Sequence, residues 1–303
     1  MFYSNLLKYL NVVRRLSIKI DEIHNSLGRI ESRQLNQWQP KFLTDFEFKV
    51  SSQGGEDGII QFIINQIDIA NKIFIEFGVE NYTESNTRFL LQNNNWSGLV
   101  IDGSTENINY IKNDPIYWRY NLKAECAFID RDNINRLISA NGISGDIGLL
   151  SIDIDGNDYW VWAALDCVNP RIVICEYNSL FGPEAKVTIP YDSKFQRSNA
   201  HYSNLYYGAS IAAITTLANK KGYSLVGSNS AGNNIFFVRN DLVAGIKKYT
   251  AADAYVKSKF RESRDTKGNL TFLDFEQRFE LVKDLQVYDL VTGKNINIKD
   301  IKR

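Results

Sequence analysis

Ile73-Phe74-Ile75-Glu76-Phe77-Gly78-Val79 and Gly98-Leu99-Val100-Ile101-Asp102-Gly103 are the two short runs on which the fold turns. Between them, residues 85–92 carry a helical pattern. Two apolar runs flanking one helix make a βαβ unit. A parallel strand covered on both faces is expected to be almost continuously apolar, as these are. Each run ends in an acid close to a glycine. The carboxyl ends of such strands face the crevice where open α/β sheets bind ligands. Gly78 permits close backbone approach at the first turn, and the helix behind it offers free N–H groups. Asp102 follows at roughly the interval at which such folds place a carboxylate on a ribose. The unit reads as a nucleoside-binding half-site with few glycines.

The 303 residues are 44% hydrophobic, enough for one large domain with appendages. Lys+Arg and Asp+Glu both number 35. Zero net charge gives no support for general nucleic-acid or membrane-surface binding. Cys126, Cys167 and Cys175 have neither zinc-site nor thioredoxin spacing, and read as reduced core thiols of a cytoplasmic protein. The N-terminus lacks the continuous apolar run of a signal peptide, and no segment approaches the ~20 apolar residues of a membrane span.

Outward from the central unit, residues 1–35 carry a heptad. Leu6, Val13, Ile20 and Leu27 fall seven apart, and Tyr9, Leu16, Ile23 and Ile30 interleave with them. The pattern predicts a coiled-coil helix that makes the chain a homo-oligomer; the alternative is an amphipathic helix lying on the protein's own body. Lys8, Arg14, Arg15 and Lys19 leave peripheral membrane association as a weaker option. Residues 36–50 read as a linker. Gln53-Gly54-Gly55-Glu56-Asp57-Gly58 then precedes a helix, with Asp57 as its N-cap. The double glycine suggests a tight approach to a ligand.

Beyond Asp102 the β/α alternation continues. Residues 124–130 form a third strand ending at Asp130, and a helix follows over 132–140. Residues 148–158 form a fourth strand running into an acid-rich turn, and 159–165 a helix. Residues 171–178 form a fifth strand. Residues 179–207 break the rhythm with a long polar–aromatic loop holding His201, Tyr202 and Tyr206, the sort of loop that is usually functional. A helix over 209–221 and two strands, 223–227 and 234–238, joined as a hairpin, complete the pattern. Residues 241–303 read as a helical extension with a terminal hairpin. Alternation of this kind implies a parallel sheet with helices on both faces.

Five further stretches join Phe74-Ile75-Glu76-Phe77-Gly78: Ser52-Gln53-Gly54-Gly55-Glu56-Asp57-Gly58, Val100-Ile101-Asp102-Gly103, Ser151-Ile152-Asp153-Ile154-Asp155-Gly156, Glu176-Tyr177-Asn178 and Phe237-Val238-Arg239-Asn240. In order and spacing they resemble the class I S-adenosylmethionine-dependent methyltransferases over about Gln53 to Arg239. Within that class they look closest to the FkbM-type O-methyltransferases. The resemblance implies a seven-stranded, mostly parallel Rossmann-like sheet with a reversed last strand, in a domain spanning 51–240. It implies that Glu76 and Gly78 hold the amino-acid end of the cofactor and that Asp102 accepts both ribose hydroxyls, with Asp130 or Phe128 by the adenine. Gln53, Asp57, Gly103 and Asp153 complete the cofactor set. The usual second and third glycines after Gly78 are replaced by Glu80 and Tyr82, so side chains such as Tyr82, Thr83 or Asn86 are expected to do the binding there.

Two pairs at the ends of strands four and five, Asp153 with Asp155 and Glu176 with Asn178, alternate in period two, so each pair faces one side. Four hard oxygen ligands suit Mg²⁺ or another divalent cation, which would lower the pKa of an acceptor hydroxyl. The plainer alternative is that Asp155-Gly156-Asn157-Asp158 only caps the helix starting near Tyr159. His201 is the first candidate for general base, with Asp155 or Glu176 in its place if the imidazole is only a surface group. Tyr202 and Tyr206 suit the apolar face and hydroxyl rim of a sugar. The expected reaction is methyl transfer to a sugar or glycan hydroxyl, with bacterial surface-glycan synthesis (capsule or lipopolysaccharide) as its setting. The competing readings are a nucleotide-sugar or dinucleotide enzyme on a related sheet, and a non-catalytic coiled-coil assembly module.

Overall fold

The computed structural model describes residues 2–35, 42–259 and 261–303. Part of the expected linker, residues 36–41, and the side chain of Leu6 lie outside what is described.

Seven strands form the central sheet: β1 (Ile73–Phe77), β2 (Ser97–Asp102), β3 (Leu122–Cys126), β4 (Gly145–Ile152), β5 (Val168–Glu176), and, after the two-residue β6 (Val187–Thr188), β7 (Tyr223–Ser228) and β8 (Asn234–Arg239). Their spatial order is β3-β2-β1-β4-β5-β8-β7. The first five pair in parallel, while β8 is antiparallel to both β5 and β7. This is the Rossmann-like methyltransferase sheet, with its one reversed strand. The strand order reverses between β1 and β4, so their carboxyl ends flank the crevice.

Both faces of the sheet are covered, which explains the continuous apolar strands. On one face Trp162, Ile214 and Phe237 pack together; on the other, Phe74, Ile63, Leu90 and Ile111 do. Part of the expected linker belongs to this second core. Leu43 and Phe46 are buried, and the Phe46 ring stacks on Phe62 with centroids 3.7 Å apart. Apolar residues at these positions have more to gain from burial than a linker allows.

Some boundaries shift for local reasons. β3 ends at Cys126, four residues short of Asp130. The Asp130 carboxylate instead accepts hydrogen bonds from the N–H groups of Asp132 and Asn133, a turn that leads into the next helix. The helix after β1 starts at Arg88 because residues 85–87 are tied to Glu76. The expected helix from Asp241 is absent. Only Ala251–Ala254 and Phe275–Val282 are α-helical in the C-terminal part among the described residues. Its hairpin, β9 (Gln286–Asp289) and β10 (Lys294–Asn297), adds to β6 as a three-stranded sheet. The long loop after β5 is therefore braced by the chain's C-terminal part, around a small core of Phe181, Val187, Phe279, Val282 and Ile298.

Helix α1 (Phe2–Gln34) is continuous over 33 residues. Its Tyr9, Val13, Leu16, Ile20, Ile23, Leu27 and Ile30 are all exposed. No helix among the described residues is long and apolar enough to cross a membrane.

Candidate functional site

A cavity of about 870 Å³ opens at the carboxyl ends of β1, β2, β4 and β5, the size of a small-molecule site. Its first wall is the turn after β1. Gly78 has φ +67°, and a Cβ there would lie 1.6 Å from the Asp153 carbonyl oxygen. Only glycine fits, because β1 and β4 nearly touch at the point where the strand order reverses.

Glu76 is 4% exposed and carries no ion pair among those found. Its carboxylate accepts hydrogen bonds from the N–H of Asn86 (2.8 Å), the N–H of Thr87 (3.1 Å) and the Thr87 hydroxyl (2.5 Å). Burial outweighs these donors and pushes its pKa up to about 7. Asp102 accepts from the N–H of Glu80 and of Ser104 and from the Asn107 amide. A carboxylate has about four acceptor sites. Asp102 therefore has room for about one ribose hydroxyl, where the resemblance implies two.

The residues that replace the absent glycines, Glu80 and Tyr82, have φ of 47° and 64°. The turn keeps the left-handed backbone that glycine would make easy, at a cost of roughly 1–2 kcal/mol per residue. Tyr82 is not a binding residue. Its ring is fully buried in the core and its hydroxyl bonds Thr87. Asn86 does line the cavity, with its amide on Ser151.

Gln53 and Gly54 lie on the rim, with Gly103 and the half-exposed Phe128. Asp57 does not. It sits within helix α2 (Glu56–Gln66), whose N-cap is Gly55. One of its oxygens takes the N–H groups of Val50, Ser51 and Ser52, which fixes the approach to the double glycine. Asp130 is likewise occupied by its turn and is not in the cavity lining.

The opposite wall carries Asp153, Asp155 and Glu176, whose oxygens lie within 4.8 Å of one another. None of these acids caps the helix that follows, whose N-cap, Asn157, makes no side-chain cap bond. Asp158 accepts from the N–H groups of Ile154 and Gly156 and so fixes the turn before the helix. Asp155, at φ 55°, is turned toward Arg197, with which it forms an ion pair. Arg197 also donates from Nε to the Asn204 carbonyl (2.6 Å), and its guanidinium stacks 3.9 Å from the Tyr207 ring. Burial opposes its charge, but Tyr207, Glu176 and Asp155 outweigh that and hold it cationic.

Glu176 is 7% exposed, lines the cavity, and its Oε2 has no hydrogen-bond partner. Burial and then the charge of Asp153 raise its pKa well above the carboxylate range. Burial and then Asp155 do the same for Asp153. Asn178 takes no part. β5 ends at Glu176, so the alternation of faces stops there. The Asn178 amide is spent on the N–H of Leu180 and the carbonyls of Leu205 and Tyr207.

His201 lies outside the cavity lining, with Nδ1 2.7 Å from the Ser203 hydroxyl and its ring against Tyr202. Tyr202 is exposed, and the Tyr206 hydroxyl donates to the Gln286 carbonyl. Those three loop residues are not in the cavity lining. Their neighbours Phe195, Arg197 and Tyr207 line it instead, as do Asn233 and Asn234 at the β7–β8 turn and Lys259. Gly156 is the one sequence signal for this. A Cβ there would strike the Phe195 ring at 2.3 Å.

No family model matches the chain, and no curated protein matches it. Among solved structures, it is similar to the N-terminal domain of EvdMO1 with SAH bound (11% identity, 70% of this chain and 95% of that one, TM-score 0.42). It is also similar to a putative caffeoyl-CoA O-methyltransferase from Staphylococcus aureus (14%, 77% and 98%, 0.41). A third is an S-adenosylmethionine-dependent methyltransferase from Clostridium acetobutylicum ATCC 824 (10%, 61% and 90%, 0.40). The class of the fold rests on the strand order. The resemblance to FkbM-type enzymes is corrected. No family model matches, and the observed fold, a seven-stranded sheet of the general class, argues against that narrower family.

Proposed function

We propose that the chain is an S-adenosylmethionine-dependent O-methyltransferase acting on a sugar-like hydroxyl compound. The observation that carries this reading is the division of one cavity. Ribose-type acid and aromatic rim, Asp102 and Phe128, lie at one end; Asp153 and Glu176, the latter with an oxygen that has no hydrogen-bond partner, lie at the other. S-adenosylmethionine supplies an electrophilic methyl group, which passes to an acceptor oxygen in one displacement and leaves a thioether.

Asp102 and Gly103 bind the ribose in this reading, Phe128 flanks the adenine, and Gln53, Gly54 and Asn86 meet the amino-acid end. Glu76 acts one step behind them by holding the 85–87 turn. Asp153, Glu176 and Arg197 orient the acceptor. The departing hydroxyl proton goes to the Asp153–Glu176 pair, whose members titrate together. Phe195 and Tyr207 exclude water from that end.

A divalent cation suits the same three acids. Their oxygens are hard and close together, and Glu176, one of whose oxygens is unpaired, lines the cavity. Such an ion would be held by Asp153, Asp155 and Glu176 and would lower the acceptor hydroxyl's pKa. Asp155 would have to release Arg197 first.

Calorimetric titration with S-adenosylmethionine tests the first half of the reading, with dissociation constants in the micromolar range expected, about −8 kcal/mol or somewhat weaker. No heat at millimolar cofactor sinks it, and tighter binding of NAD⁺ or a nucleotide sugar replaces it with the competing enzyme class. Transfer of labelled methyl to a panel of free sugars tests the second half. Activity unchanged by a strong chelator removes the cation.

A further inference from the structure

Helix α1 has two working faces, and only one of them meets the body of the protein. Near its C-terminal end Gly28 is buried so closely that a Cβ would come within 2.4 Å of Val50 Cγ2 and 2.9 Å of the Phe89 ring. Ser32 donates to Gln61 of α2 (3.1 Å), and Leu35 packs on the core beneath. Glycine within a helix costs roughly 1 kcal/mol relative to alanine, so close docking is what it serves here. Positions 28, 32 and 35 share one side of the helix.

The heptad positions point elsewhere, on a stripe centred roughly 115° round the axis at 100° per residue. Tyr9 is 67% exposed and Ile23 57%, and Val13, Leu16, Ile20, Leu27 and Ile30 are all near half. A helix whose apolar stripe covered its own protein would bury that stripe. Among the described residues, this one buries the neighbouring face over its last turns.

A repeat of seven kept through four heptads is narrower than the broad apolar sector of a core-facing or lipid-facing helix. It is the width of a two-helix seam. The exposed halves of seven large side chains, counted on two helices, amount to an area on the order of 10³ Å², at the lower edge of a specific interface. We propose that the stripe from Tyr9 to Ile30 is covered by the same stripe of a second copy of this chain. The Gly28 face then ties each half of the coiled coil to its own sheet domain.

Light scattering on the full chain after size exclusion, across roughly 1–100 µM because association follows mass action, tests this directly. The expected mass is at least twice 34.7 kDa. The triple variant Leu16→Glu, Ile20→Glu, Ile23→Glu is expected to fall to a single chain mass. Its near-UV circular dichroism should stay that of the unmodified protein, since the body does not use those side chains. A second variant, Asp21→Ala with Asn25→Ala, leaves the stripe intact and should keep the larger mass. The proposal is overturned by an unmodified chain of single mass throughout, by a mass that the triple substitution leaves unmoved, or by self-association that gives way to binding of anionic phosphatidylserine vesicles at equal protein concentration.

Discussion

The acids at the end of β1 and β2 and those at the end of β4 and β5 occupy the same crevice but live under opposite conditions. Glu76 and Asp102 receive three hydrogen bonds each from the turns around them. Asp153 and Glu176 receive none among those found, and burial together with the charges of neighbouring acids raises both of their pKa values. A carboxylate with donors shapes the chain. One without them is held toward its protonated form and is left for a ligand. The contrast says which acids to expect in a stability assay and which in an activity assay.

The contrast can be broken most easily at Glu76. Glu76→Ala leaves the N–H groups of Asn86 and Thr87 without an acceptor, each costing roughly 1–3 kcal/mol, and adds a cavity. A loss of about 4 kcal/mol is expected in urea unfolding. A loss under about 1 kcal/mol would mean that the turn holds itself, and that Glu76 is free for the cofactor.

Stability should also fall as pH rises. The folded pKa of Glu76 is about 7, above the ordinary 4.5. Its contribution is fully present below about 4.5, where the residue is protonated in both states, and is lost as pH rises toward 7. Over that window the difference is about 3 kcal/mol. Asp158, raised to about 6 by burial, slopes the same way over a lower window. Urea midpoints measured from pH 4.5 to 8 check this, and Glu76→Gln should flatten the upper part of the curve. A midpoint that rises with pH would show that the turn donors outweigh burial.

At the other wall the sign of the stability effect reverses. Glu176→Gln keeps the shape and removes a carboxyl whose ionisation burial and Asp153 oppose, so the melting temperature should hold or rise. Methyl transfer should fall by about 10²-fold, the scale of a lost general base. If both activity and melting temperature drop together, Glu176 belongs with Glu76 as a structural acid and the division of the cavity fails.

How far this division was legible in the sequence follows from what each part depends on. The β1–β2 unit was readable because doubly buried strands are apolar throughout and their ends are marked by Glu76, Gly78 and Asp102. The acids of the fourth strand were readable as a cluster, but which of them holds the turn was not; that depends on Asp158 facing the N–H groups of Ile154 and Gly156. Asn178 was misplaced because the period-two rule holds only while the strand does, and β5 stops two residues earlier. Tyr82 was misplaced because its φ of 64° turns the ring inward, which no residue pattern announces. In the 179–207 loop no periodicity exists to separate Arg197 from His201. Their assignment is decided by a bracing sheet formed with residues about a hundred positions later.

Those two loop residues give the finest test of the contrast. Arg197 neutralises Asp155 from the cavity side, and Arg197→Ala leaves that acid and Glu176 facing each other with less compensation. A rise of about tenfold in acceptor KM with a smaller change in kcat is expected, about 1.4 kcal/mol of lost binding common to ground and transition states. A divalent cation, if it binds there, should bind more tightly to this variant because its competitor is gone. His201→Ala, by comparison, removes a ring whose Nδ1 is already paired with Ser203 and which burial keeps neutral to a lower pH than usual. Activity within about twofold and an unshifted pH–rate profile are expected, since a residue that takes no proton in the reaction leaves no pKa in the profile. A loss of 10²-fold with the acid limb of the profile removed would return the general base to His201, and would require the loop to swing its imidazole past Tyr207 into the cavity.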